Sequence, residues 1–265
     1  MKLGISFNCY RDLDDETQFA LMKENGFEAT MIGSEYERLD EVVKKLRAQG
    51  LVCENLHGPA STESSNINDL WRDKEASVEM LARVMDGLEK CSRYEIPTMV
   101  LHVTAGPTPP RPNKRGYERF VQIFDRAREL GVKIACENIR PFGNLAFILE
   151  QFPEARFCWD VGHEAYASPG RQFMPLFGCQ LGALHIHDNN LEADEHMLPY
   201  DGKIDFDRVA RQIAETDYEG SLMLEVIRSN HTLYDSFTPA QYYARAGEAA
   251  KRLEAQIAHY RKLRA

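Results

Sequence analysis

The sequence predicts a closed parallel (β/α)₈ barrel, the TIM-barrel architecture, and three observations carry that reading. Eight short β-like runs recur along the 265 residues, with amphipathic helical stretches between them. Several of the runs lack polar alternation, as strands covered on both faces do. The length is close to the ~250 residues usual for this fold. Alternation sustained this far implies one barrel domain over residues 1–265. An open doubly wound sheet normally carries a glycine-rich phosphate turn after its first strand. Here that stretch reads Phe7-Asn8-Cys9-Tyr10, without a glycine.

The strand runs are residues 3–7, 28–32, 51–56, 98–103, 133–136, 156–159, 182–186 and 222–226. Residues 16–25 read as a helix stopped by Gly26, residues 39–49 as one stopped by Gly50, and residues 117–130 as one stopped by Gly131. A glycine just past the last turn is a common helix stop, because it can take a left-handed backbone. Residues 74–94 and 206–216 follow the same periodicity, and the charged stretch 239–263 is suited to closing the outer ring. The proline-rich stretch 107–112 reads as the loop after the fourth strand. No linker or low-complexity run interrupts the pattern.

Composition narrows the function classes. The chain is 43% hydrophobic and 28% charged, an ordinary balance for a globular protein. Its formal charge of −9 disfavours non-specific binding to a phosphate backbone. No apolar run approaches the ~20 residues of a membrane span, and the first residues lack the apolar core of a signal peptide. The six cysteines form no C-x-x-C pair and lie in or beside apolar runs, so buried free thiols are expected. A cytoplasmic protein with a small-molecule partner, rather than nucleic acid or membrane, is the resulting expectation. Nucleophile elbow, P-loop and dinucleotide fingerprint are all missing from the sequence.

In a barrel of this kind the working residues stand at the C-terminal ends of the strands. The third strand runs into His57, the fourth reaches His102, and the fifth ends in Glu137-Asn138. The sixth ends in Asp160, with His163 just beyond; the seventh carries His185 and His187, then Asp188. Asp194-Glu195-His196 follows, and the eighth strand contributes Glu225. One histidine at a strand end is ordinarily a hydrogen-bonded core or loop residue. Six of the chain's eight in such positions, among carboxylates, would repel or go unpaired unless a cation joined them. The set offers no thiolate, which disfavours a structural zinc site, and suits Mn²⁺ first, with Zn²⁺, Co²⁺ or Mg²⁺ as alternatives.

These strings resemble the xylose isomerase-like superfamily of sugar-phosphate isomerases and epimerases. They are Leu56-His57-Gly58-Pro59, Leu101-His102-Val103, Glu137-Asn138, Asp160-Val161-Gly162-His163 and His185-Ile186-His187-Asp188. Asp194-Glu195-His196, Gly202-Lys203-Ile204-Asp205 and Leu224-Glu225-Val226 complete the series. The resemblance runs from the third strand to the eighth. It implies one divalent metal on Glu137, Asp160, His185 and Glu225, chelating a ketose carbonyl and its neighbouring hydroxyl and stabilising an enediolate. It also implies that Glu137 and Glu225 transfer the proton, and that His163 touches substrate oxygens beside the metal. His57, His102, His187 and Lys203 are the further expected substrate contacts, and Asp194 and His196 the candidates for an additional metal.

Two other activities belong to the same superfamily or the same chemistry. Metal-dependent apurinic endonucleases hold three zinc ions with nine ligands, and the matching residues here are His57, His102, Glu137, Asp160, His163, His185, Asp194, His196 and Glu225. A metal-dependent lyase or dehydratase on an oxidised sugar or cyclic keto acid needs the same polarised carbonyl and base. The acidic charge and the lack of basic or aromatic clustering in the loops favour a carbohydrate over DNA. Among other residues, Arg140, Lys203 and Arg228 are candidates for an anionic group of the substrate, and Asn8 and Tyr10 for substrate contact. Asp188 is expected as a loop cap or as a group orienting a ligand, and Trp159 in the helix layer. His231 and His259 read as loop and surface residues. Barrels of this kind often associate, so a homo-oligomer is compatible with the reading.

Overall fold

The computed structural model of the protein describes every residue except Ala60, Glu63, Pro141 and Ala265. Eight strands form one parallel sheet: β1 (Leu3–Ser6), β2 (Ala29–Gly33), β3 (Val52–His57), β4 (Thr98–His102), β5 (Lys133–Glu137), β6 (Arg156–Asp160), β7 (Leu181–His185) and β8 (Leu222–Leu224). Their order is β7-β6-β5-β4-β3-β2-β1-β8. Beyond the ends of β7 and β8, Ile186 bridges Leu224 and closes the barrel. That seam is thin. It consists of the Ile186 N–H donating to the Met223 carbonyl at 2.9 Å and the Glu225 N–H to the Ile186 carbonyl at 3.0 Å.

The helices are α1 (Asp15–Glu24), α2 (Leu39–Ala48), α3 (Ala76–Arg93), α4 (Lys114–Leu130), α5 (Phe142–Gln151), α6 (Met174–Phe177), α7 (Phe206–Ala214) and α8 (Pro239–Arg264). Polar caps fix several starts. Asp14 accepts from the Thr17 N–H at 2.8 Å and Asn113 from the Gly116 N–H at 3.1 Å, which explains why α4 begins earlier than its apolar periodicity. Gly26 and Gly131 end α1 and α4 with φ of 89° and 68°, the left-handed backbone expected of such stops.

The sequence reading missed the elements between β5 and β7. Helix α5 carries the nearly all-apolar string FGNLAFILEQ, so no polar stripe marks its period. Between β6 and β7 a π-helical turn (His163–Ala167) and the four-residue α6 replace a full helix. Aromatic packing fills that sector: Phe142 stacks on Phe173 with ring centroids 4.4 Å apart, and Phe157 and Phe177 complete the group.

Inside the barrel the middle layer is small. Val100, Ala135, Cys158 and Ala183 form one interior cluster, and Ala29, Met31 and Met223 another. The large apolar side chains pack between the sheet and the helices, Trp159 among them. The cysteines are all free; five are buried as expected, but Cys179 is exposed. It lies in a short turn just before β7, where no helix covers it. No helix among the described residues is long and apolar enough to cross a membrane.

Candidate metal centre

Side chains alternate across a strand, so the last inward residue of each strand faces the barrel mouth. Register then sets the neighbours: His102 lies beside Glu137, and Asp160 beside His185. Glu225 follows β8 directly and is anchored by the seam. Ligand-type atoms of Glu137, Asp160, His185 and Glu225 all lie within 4.8 Å of one another. His185 Nδ1 is 3.1 Å from Glu137 Oε2 and 3.2 Å from Glu225 Oε2. His57 Nε2 and His102 Nε2 stand 3.4 and 3.2 Å from the same Glu137 oxygen.

Beside this quartet lies a second set. His163 Nε2 and His196 Nε2 are 3.2 and 3.4 Å from Asp194 Oδ2. His187 Nε2 is 3.1 Å from Asp160 Oδ1, and its ring stacks on His196 with centroids 4.2 Å apart. The structure therefore brings together the predicted metal ligands with His57, His102, His163, His187, Asp194 and His196, but not Lys203.

Backbone carbonyls fix the imidazoles. The Nδ1–H of His57 donates to the Gly58 carbonyl at 3.1 Å, that of His163 to the Asn138 carbonyl at 3.1 Å, and that of His196 to the Glu225 carbonyl at 2.8 Å. A carbonyl only accepts, so each Nδ1 carries a proton, and Nε2 is the nitrogen that each ring could offer to a cation once that atom is unprotonated. The turn holding His163 is itself pinned by Glu164, which accepts from Trp159 Nε1 at 3.0 Å, the Phe173 N–H at 2.9 Å and Arg208 Nη1 at 2.7 Å. His196 is held at φ 48°, an uncommon backbone for a side chain of its size. Asp188 organises this loop, accepting the N–H groups of Asn189, Gly202 and Ile204 at 2.8–3.0 Å, and so acts as a loop cap.

Electrostatics follow from this crowding. Burial pushes the Glu137 carboxyl up, but His102 and His185, with hydrogen bonds from His102 and His163, outweigh it and hold the group well below the carboxylate range. Burial likewise opposes protonation of His163 and His185, yet their acidic neighbours raise both well above an ordinary histidine. The same balance, with the Asp194 hydrogen bond strongest among the raising causes, lifts His196 to about 9. Even so, the buried atoms Glu137 Oε1 and Oε2, His102 Nε2, His185 Nδ1, Asp194 Oδ1 and Glu225 Oε2 lack a well-directed hydrogen bond. Glu137, His185 and Glu225 among them belong, with Asp160, to the set whose ligand-type atoms lie within 4.8 Å of one another, an arrangement that fits a divalent cation.

Two residues of the cluster, His57 and Glu225, line a cavity of about 700 Å³ bordered by the β1 and β2 loops. Arg11 is the lysine or arginine that lines it, a residue the sequence reading passed over. Lys203 is exposed in the loop before α7. Arg228 is held by the Tyr234 and Asp235 carbonyls and lies over the Tyr10 ring, and Arg140 lies over Tyr166. Asn8 lines the cavity, whereas the Tyr10 hydroxyl donates to the Phe237 carbonyl. Cys158 was also missed: its Sγ lies within 4.8 Å of ligand atoms of Glu137 and His185. Two-residue alternation back from Asp160 was the available signal.

Comparison with known proteins agrees with this architecture. An uncharacterized protein of Sinorhizobium fredii is 36% identical over 145 residues, 54% of this chain but only 44% of that relative's length. An uncharacterized protein of Methanocaldococcus jannaschii is 31% identical over 252 residues, covering 80% of this chain and 88% of its own. Among solved structures, D-psicose 3-epimerase with D-tagatose from Clostridium cellulolyticum H10 superposes with a TM-score of 0.76 at 16% identity, over 97% of this chain and 99% of that one. The IolI protein, solved with a bound zinc atom, gives 0.73 at 17% identity, over 98% and 99%. At these identities the structural likeness is one of fold. The family model described as xylose isomerase-like TIM barrel matches residues 19–262, and the chain belongs to that family.

Proposed function

We propose that the protein is a divalent-metal-dependent isomerase or epimerase of a small ketose or ketose phosphate. The observation that carries this reading is the convergence of Glu137, Asp160, His185 and Glu225, buried and partly unpaired, beside a cavity large enough for a sugar. These four residues would hold the ion, Mn²⁺ or Zn²⁺ foremost, and when bound it supplies Lewis-acid polarisation of a substrate carbonyl. Glu137 and Glu225 both stand against His185 Nδ1, at 3.1 and 3.2 Å, and theirs are the carboxylates we assign to accept a proton from the carbon next to that carbonyl. His57, His102, His163 and His187 present ring nitrogens for substrate hydroxyls. The sugar-epimerase and IolI neighbours support carbohydrate as the substrate class.

The test is solvent exchange. Ketopentoses, ketohexoses and their phosphates, incubated in D₂O with the Mn²⁺-, Zn²⁺- or Co²⁺-loaded protein, are expected to gain deuterium at the carbon next to the carbonyl. Absence of exchange across the panel overturns the reading.

A second reading rests on the nine ligand-type residues. His57, His102 and Glu137 form a further potential metal set, and His187, His196 and Glu225 another. Three zinc ions per chain together with nicking of abasic duplex DNA would favour phosphodiester hydrolysis. One ion per chain favours the sugar reading.

A further inference from the structure

At the mouth of the barrel the ladder between β5 and β6 ends on the pair Glu137 and Cys158. Beyond it β5 gives way to a loop, while β6 runs on to Asp160. The main-chain bond from the Asn138 N–H to the Cys158 carbonyl is already long, at 3.4 Å. A side chain makes the next rung. Asn138 is fully buried; its Nδ2 donates to the Asp160 carbonyl at 2.8 Å, and its Oδ1 accepts the Asp160 N–H at 2.8 Å. A carboxamide carries both a donor and an acceptor, so it can do for Asp160 what a neighbouring strand does.

The main-chain carbonyl of Asn138 has a second task, accepting the His163 Nδ1–H at 3.1 Å. Asp160 completes the triangle, since its Oδ1 accepts the His163 N–H at 2.6 Å. Asp160 belongs to the quartet, and His163 to the second set beside it. We propose that Asn138 is a positioning residue of this site: its side chain fixes the Asp160 backbone, its carbonyl fixes the His163 ring, and the two together set the spacing between the ligand sets. This rests on the reading of Asp160 as a metal ligand. Without the carboxamide, the Asp160 N–H and carbonyl would lose their buried partner, a cost that a shift of Asp160 relieves at the expense of the site.

The experiment compares the parent protein with Asn138→Leu, which is close in size but has neither donor nor acceptor, and with Asn144→Leu. Asn144 is also buried, but its Nδ2 donates to the Pro110 carbonyl at 3.1 Å, so it controls for the loss of a buried amide as such. Zn²⁺ affinity is measured by calorimetry, and the His163 ring nitrogens by ¹⁵N NMR of the loaded protein. Asn138→Leu is expected to bind Zn²⁺ about 10–100-fold more weakly, the range seen when the outer partners of metal ligands are removed, and to lose the protected His163 Nδ1–H signal. Asn144→Leu should match the parent in both, even where its melting temperature falls. Unchanged affinity in Asn138→Leu, or equal loss in Asn144→Leu, overturns the positioning role while leaving the metal reading intact. A measurement on the metal-free parent holds even where Asn138→Leu does not fold: the Asp160 amide should exchange slowly, and exchange as fast as an exposed loop amide overturns the proposal. A parent protein that binds no divalent cation removes the metal reading, and this inference with it.

Discussion

The two ends of the barrel interior both carry acids, and they treat them in opposite ways. At the N-terminal end Glu54 accepts the Ser221 N–H at 2.9 Å and is hydrogen-bonded by the Ser221 hydroxyl. Lys2, Lys133 and Arg156 stay exposed around that rim. At the C-terminal end Glu137 and Asp160 are fully buried, and both Glu137 oxygens lack a well-directed donor. One carboxylate takes its hydrogen bonds from the fold; the other stands among histidines with its oxygens lacking a well-directed donor. On the proposed function the first serves stability and the second chemistry, and substitutions can break that contrast.

The largest effect is expected at the barrel mouth. Glu137→Gln and Glu225→Gln should each lower turnover by on the order of 10²–10⁴, with Glu225→Gln also weakening metal binding, as read by the deuterium-exchange rate and by metal titration. Full activity in both would remove the proton-transfer roles. Next comes Gly162, where an added Cβ would lie 2.0 Å from His187 Cε1, at the ring that touches Asp160. Gly162→Ala should cost about 1–3 kcal/mol in chemical denaturation and weaken metal binding, whereas Gly143→Ala, in open space, should do neither.

The pH dependence is smaller and of defined sign. Because the His196 pKa rises to about 9 in the folded, metal-free chain, its contribution to stability is complete below the unfolded value of ~6.5 and is lost as pH rises through about 9. The chelated protein should therefore show a falling melting temperature from pH 7 to 9. Over the same interval metal affinity should tighten, since His163, His185 and His196 must shed protons to bind an ion. Calorimetry in buffers of different ionisation enthalpy counts those protons. The smallest effect belongs to the other end: Glu54→Ala should cost about 1 kcal/mol of stability and leave metal affinity unchanged. A loss of metal binding there would erase the contrast between the two ends.

The barrel and its mouth were legible because, from β3 to β8, the residue at each strand's C-terminal end is also a chemically distinctive one. His57, His102, Glu137, Asp160, His185 and Glu225 could thus be placed from strand ends alone. Helix α5 was not legible, since an apolar string without a polar stripe has no visible period. The short β6–β7 connection was hidden for a related reason: four phenylalanines far apart in sequence do the packing of a helix. Lys203 illustrates the limit of motif order. It lies in the right string, but the Asp188-centred loop leaves it exposed, while Arg11, in no motif, lines the cavity. Cys158 belonged to an apolar run in sequence, and only its alternation with Asp160, which pairs with His185, marked it as facing the same side.

The thin seam between β7 and β8 has a mechanical meaning. His185 and Glu225 flank it, and the two backbone hydrogen bonds of Ile186 are its only fastening described above. An ion shared by these two side chains would rivet the one joint where the cylinder is least stitched. Amide exchange at Ile186 and Glu225 should slow on metal loading more than at the β4–β5 joint, so that filling the mouth and keeping the wall shut become the same event.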